Sequence, residues 1–228
     1  MENLLWYPLE HLPFVVIVIM IVFTVHEFAH AYSAYKFGDD TAYREGRVSL
    51  NPMVHLDLMG SILLLIAGFG WAKPVPVNAS RFKHRRVMSI VVSAVGPLSN
   101  LLMAFVGMLL VYVLFATGLM QAGSVGVQDA LSVFFFYFIT INLLLFVFNL
   151  IPLPPLDGYR IVSEFLPLRI RYKVEQNIQW GMLIFLLFVF IPPLRAVTLD
   201  PILALRAPLH AGIDTFLSSI FGFQVIWN

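Results

Sequence analysis

The sequence predicts an all-α polytopic membrane protein, and three observations carry that prediction. Of its 228 residues, 60% are hydrophobic and only 12% are charged, against about 25% charged in soluble domains. The mean hydropathy is +0.86. Charge-free runs recur, the longest from Val87 to Gln128. The expected architecture is about four transmembrane helices, a re-entrant segment with short extended strands, and a C-terminal amphipathic helix. All of it belongs to one membrane-embedded domain over 1–228, with its core at 13–194 and an interfacial segment at 195–228. A formal net charge of +1 gives no reason to expect nucleic acid as a partner. With no cysteine in the chain, disulfides and thiolate metal sites are excluded, so a transition-metal site must use His, Asp or Glu.

The first span is "PFVVIVIMIVFTVHEFAHAYSAYK", Pro13 to Lys36. The residues before it hold Glu2 and Glu10 but no Lys or Arg. A secretory signal would begin with a basic region, so this segment is read as a retained span. Further spans are expected at 87–116, 130–153 and 177–194, against a need for roughly 20 residues each. "ATGLMQAGSVGVQ" reads as the exit turn after the second. Leu58 to Ala72, "LMGSILLLIAGFGWA", is short and holds three glycines.

Charge placement decides how that segment runs. All of the 14 basic residues except Arg195 and Arg206 fall in three connections: Lys36 to Arg47, Lys73 to Arg86, and Arg160 to Lys173. The positive-inside rule sets all three in the cytoplasm. That requires 58–72 to enter and leave on one side, with the N-terminus and the 117–129 loop outside. At the C-terminus, Ile213, Phe216, Leu217, Ile220 and Phe221 repeat at helical spacing, with Asp214, Ser218 and Ser219 between them. This predicts an interfacial amphipathic helix; a helix packed on the bundle is the alternative.

The first span carries "HEFAH" near its middle. Ionisable residues at that depth are costly and mark function. On a helix, His26 and His30 share a face, with Cβ atoms roughly 5–6 Å apart, and two imidazoles so spaced can both reach a zinc ion. Glu27 is offset around the helix. It can stand beside the metal and take a proton from water whose pKa zinc lowers toward ~7. A buried His–Glu cluster or a proton relay is the bland alternative.

A catalytic zinc takes three protein ligands plus water. Among the candidates His11, His55, His84, His210 and the acidic residues, Asp157 stands out. In "FNLIPLPPLDGYR", Pro152, Pro154 and Pro155 stop the helix. Asp157 follows at the turn, at or near membrane depth, on the same side as the end of the first span. Broken backbone there is tolerated only beside protein or a water-filled cavity.

These segments resemble the site-2 protease family of intramembrane zinc metalloproteases. "HEFAH" and the Asn149, Pro152, Pro154, Asp157, Gly158 pattern carry the resemblance. "GRVSLNPMVHLD", "GWAKPVPVN" and "GPLSN" look like signatures of its small bacterial members. The resemblance implies one Zn2+ per chain held by His26, His30 and Asp157, with Glu27 as general base. It also implies Asn149 as a stabiliser of the oxyanion; read from the residues alone, Asn149 equally well caps freed carbonyls of its broken helix. It implies a transmembrane protein substrate, and a multi-pass protein of a bacterial inner membrane with the site nearer the cytoplasmic face. The chain resembles a minimal catalytic core, with no PDZ or CBS module visible.

His55 and Asp57 are expected in a loop hydrogen-bond network rather than at the substrate. Asn100 is expected to join helices, and Arg81 to Arg86 to anchor at headgroups. "REGRVSLN" and "AKPVPVN" are expected to be extended, and either offers an edge to an unwound substrate. Three rivals stand against the protease reading. One is a metalloprotease with Glu164 as third ligand. Another is a metal or proton transporter, opposed by the absence of charge inside 87–116 and 177–194. The third is a catalytically silent membrane chaperone, opposed by the intact Glu27.

Overall fold

The structure, a computed structural model, describes residues 6–67 and 70–227. Gly68 and Phe69, within the segment expected to be re-entrant, lie outside the described residues. The described helices run in the order α1 (Leu12–Lys36), α2 (Thr41–Arg44), α3 (Leu58–Ala67), α4 (Arg85–Ala116), α5 (Leu119–Ala122), α6 (Val125–Asn149), α7 (Asp157–Ser163), α8 (Leu168–Gln176), α9 (Ile178–Phe190), α10 (Pro192–Leu203) and α11 (Arg206–Phe221).

Three of these, α1 with the turn before it, α4 and α6, are each long and apolar enough to cross a membrane. They pack on one another as the central bundle. Val15, Val18, Ile19 and Val22 of α1 are buried against Tyr137 and Ile141 of α6. Ala104, Met108 and Val111 of α4 are buried with Ile139 and Leu143 of α6. Lipid is as apolar as these side chains, so close fit rather than transfer from water holds such helices together.

The fourth expected span differs. α9 covers 13 residues, about 20 Å, and is followed by a bend of 95° into Pro192–Phe221. The reason is local. A residue before proline avoids the α region, and Ile191 is extended at φ −99° and ψ 106°. Pro192 then starts a new helix, where a missing N–H costs nothing. Among the described residues there are therefore three candidate spans by length and composition, or four if the bent pair is counted as one. α9 and α10 pack on the end of α6, with Phe185, Leu199 and Leu203 buried beside Val147, Ile151 and Leu156.

The expected extended strands are not formed among the described residues. A lone antiparallel bridge joins Leu56 to Ala72, and Lys73 N–H donates to the His55 carbonyl at 2.8 Å. The backbones of Gly60 and Trp71 lie so close that a Cβ on Gly60 would overlap the Trp71 carbonyl. The two ends of the 58–72 segment therefore sit side by side. Its helical part, α3, rises only about 15 Å.

The C-terminal helix packs on the bundle. Leu217 is fully buried, and Ile213 and Phe221 join the core of α4 and α6, while Phe216 and Ile220 are exposed. Asp214, expected on a polar face, points inward instead. It accepts hydrogen bonds from Tyr112 Oη at 2.7 Å, Trp227 Nε1 at 2.8 Å and Gln224 Nε2 at 3.1 Å. A buried carboxylate needs such partners, and these fasten the C-terminal segment to α4.

Candidate metal centre

His26 and His30 lie one turn apart on α1, and Asp157 is the first residue of α7. All three are buried. The two Nε2 atoms are 3.0 Å apart, and each lies 3.2 Å from Asp157 Oδ2. The break after α6 makes this possible. Past Asn149 the chain turns through the proline run. α7 then packs so tightly on the end of α6 that a Cβ on Gly158 would overlap the Leu150 and Ile151 carbonyls. Only glycine fits there, which accounts for the Asp-Gly pair.

Hydrogen bonds behind the imidazoles determine which nitrogen carries the proton. The Phe138 carbonyl can only accept, so Asn142 Nδ2 donates to it, at 2.8 Å. Asn142 Oδ1 then accepts from Asn100 Nδ2 at 3.0 Å. Asn100 Oδ1 is left to accept from His26 Nδ1 at 2.7 Å. His30 Nδ1 donates to the Val92 carbonyl at 2.6 Å, beside the point where Pro97 interrupts the hydrogen-bond ladder of α4. In the neutral imidazoles the proton therefore sits on Nδ1, which leaves both Nε2 lone pairs facing each other and a carboxylate oxygen.

With both imidazoles neutral, three acceptors lie at 3.0–3.2 Å with no donor among them, an arrangement that a cation between them would stabilise. Tetrahedral zinc with ligands at 2.0–2.1 Å would hold its donors about 3.3 Å apart. Two imidazole nitrogens and a carboxylate oxygen are an ordinary zinc donor set. The residues fit the ion. α4 passes over the group at Gly96, where a Cβ would overlap the His30 ring. The close approach of α4 at Gly96 is therefore to the two imidazoles.

Glu27 is buried next to this group, and its Oε2 accepts from the Val75 backbone N–H at 3.0 Å. Asn149 Nδ2 donates to the Leu145 carbonyl of its own helix at 3.0 Å. Asn149, Glu27 and the three convergent residues line one cavity of about 480 Å³. Its remaining walls are mostly apolar, among them Phe23, Phe148, Phe185 and the Trp71–Val75 segment.

The other candidate ligands lie elsewhere. Glu164 is buried in an ion pair with Arg171 at 2.6 Å. His11 bonds the Tyr137 hydroxyl, His84 is exposed at the start of α4, and His210 packs on Trp227. His55 is fully buried with Nε2 on the Ser49 carbonyl at 2.7 Å; burial holds its pKa below the ordinary histidine value. Asp57 caps α3, accepting from Gly60 N–H at 2.8 Å. Both belong to the loop network, as expected. Arg81 and Arg86 are not simple headgroup anchors: Arg81 pairs with Asp40, and Arg86 lies over the Phe165 ring.

Sequence reasoning missed three residues. Asn142 carries the same signal as Asn100, an amide inside an apolar span. Arg47 is buried and donates to the Lys73 and Pro74 carbonyls at 2.6 and 3.2 Å. Val75 offers the backbone donor to Glu27, for which no sequence signal exists.

The comparisons with known proteins agree with this geometry. YwhC of Bacillus subtilis (strain 168), provisionally named a zinc metalloprotease, is 47% identical over 226 residues, covering 97% of this chain and 98% of its own. Rip2 of Mycobacterium tuberculosis (strain H37Rv), provisionally named likewise, is 32% identical over 176 residues, covering 74% of this chain and 63% of its own. Rip2 of Mycolicibacterium smegmatis is 29% identical over 181 residues, with 75% and 64% covered. No solved structure matches the chain significantly. The profile of peptidase family M50 matches residues 14–191, and the chain belongs to that family.

Proposed function

We propose that the chain is an intramembrane zinc endopeptidase that hydrolyses a peptide bond within or near a transmembrane segment of a membrane protein. The observation that carries this reading is the convergence of three possible metal ligands, His26, His30 and Asp157, in a mostly apolar cavity that also holds Glu27. The relatives' provisional names, as zinc metalloproteases, point the same way.

His26, His30 and Asp157 would hold one zinc ion. When bound, zinc supplies Lewis acidity toward water and the scissile carbonyl. Glu27 accepts a proton as the water oxygen adds to the carbonyl carbon. It then gives that proton to the amide nitrogen as the C–N bond breaks, leaving a carboxylic acid and an amine. Val75 N–H holds one Glu27 oxygen and so orients the other. Asn149 has a second N–H beyond the one on Leu145, available to an oxyanion. A substrate helix hides its carbonyls and must unwind before its peptide bond can reach the site. On this reading the chain sits in a bacterial inner membrane, and the basic clusters favour a site nearer its cytoplasmic face.

The test pairs zinc analysis with cleavage of a panel of single-span peptides in vesicles. Glu27→Gln is expected to keep its zinc and lose ~10²–10⁴-fold or more in rate. Wild-type cleavage by that variant would make Glu27 structural. Asp157→Ala is expected to lose zinc under mild chelation, and Glu164→Ala to keep it; the reverse pattern would favour Glu164 as a ligand.

A further inference from the structure

One charged residue of the cavity takes no part in the chemistry above. Arg160 lines it together with Glu27 and the three convergent residues. It stands three residues after Asp157 on α7, so the two share a helix face. It is exposed, and among the described residues no carboxylate pairs with it. Arg44, Arg81, Arg171 and Arg195 each pair with an Asp or Glu. The cavity's walls apart from the charged and polar groups are largely Phe, Leu, Met and Pro side chains. A guanidinium is shaped to take a carboxylate through two parallel N–H donors.

Resting on the protease reading, we infer that Arg160 is a specificity-determining residue that binds an acidic side chain of the substrate close to the scissile bond. The apolar walls receive the residues of the span, and Arg160 reads an Asp or Glu where the span gives way to its polar flank. Residues three apart on a helix have Cβ atoms ~5–6 Å apart. An extended substrate advances ~3.3 Å per residue, and an arginine side chain adds reach, so the acid falls about two to four residues from the cleaved bond. A lipid phosphate is the competing anion.

The test uses the full-length, zinc-loaded protein in neutral phosphatidylcholine vesicles. The cleaved bond of a single-span peptide is first mapped by mass spectrometry. Each of the three candidate positions on its polar side is then made Glu, Gln or Lys. The wild type is expected to cleave the best Glu peptide roughly tenfold or more faster than its Lys counterpart in kcat/KM. Arg160→Glu is expected to reverse that order, and Arg160→Lys to keep it with a smaller ratio. If Arg160→Glu fails to retain zinc, Arg160→Gln is expected to abolish the preference. An unchanged Glu-to-Lys ratio in these variants overturns the inference and leaves the protease reading intact. So does an Arg160-dependent rate that responds to added phosphatidylglycerol equally for all peptides, the signature of a lipid phosphate. Cleavage of none of the peptides by the wild type removes both.

Discussion

The direction of hydrogen bonds behind His26 begins at an atom that cannot donate, the Phe138 carbonyl, and passes through two amides to Nδ1. Each amide could be flipped in isolation; the chain as a whole permits one orientation. Partners behind a metal-ligating histidine orient its ring and raise its basicity, and their loss typically costs 10–100-fold in metal affinity. Asn100→Ala is therefore expected to weaken zinc binding by about that factor, measured by competition with a chelator. It should do so without unfolding the bundle, since α1, α4 and α6 are held by extensive apolar contact. Unchanged affinity would return Asn100 to the role of helix glue. His30 rests on the Val92 backbone carbonyl, which no side-chain substitution removes, so the two histidines should respond differently to mutation.

The loop elements before and after α3 form a clamp on Glu27. Lys73 N–H is held by the His55 carbonyl, and the Lys73 and Pro74 carbonyls are held by Arg47. Val75 N–H, next in line, holds Glu27. A buried guanidinium spent on backbone carbonyls is a costly device, and here it immobilises the segment that orients the general base. Arg47→Ala is expected to slow cleavage by an order of magnitude or more, since a misplacement of about 1 Å can cost 10²-fold. Zinc content should stay at the wild-type level, because Arg47 touches none of the three convergent residues. Equal loss of zinc and activity would mean that the clamp supports the whole fold instead.

For the molecule as a whole, the 58–72 segment decides whether α1 and α7 can meet. Its two ends are paired at Leu56 and Ala72, which a segment crossing the membrane could not achieve. On the proposed re-entrant reading both ends lie on one side, and the basic connections 36–47, 73–86 and 160–173 share a face, as the positive-inside rule requires. Because the chain has no cysteine, single cysteines can report this. Glu45, Lys83, Ser124 and Lys173 are all exposed. In intact cells an impermeant thiol reagent is expected to label the cysteine at Ser124 and none of the others. Labelling at Lys83 from outside would mean that the segment crosses.

What was legible in the sequence is what short-range physics controls. The i, i+4 spacing of His26 and His30 ensures that both imidazoles leave one face of α1, whatever packs against them. The proline run ends α6 because a proline cannot donate or fit in a helix interior. Burial of charge in an apolar run predicted a site, since such groups are not left unpaired. Which partner each group finds is another matter. The contacts of His30 with Val92, His26 with Asn100 and His30 with Asp157 span 62, 74 and 127 residues. Asp157 and Glu164 look alike as candidate carboxylates, yet one faces the histidines and the other Arg171. α11 turns an aspartate inward and two large apolar side chains outward, against its periodicity, because Tyr112 and Trp227 are there to receive the carboxylate. Periodicity and spacing say that a polar group needs a partner. Only the packing of the helices brings a particular one within 3 Å.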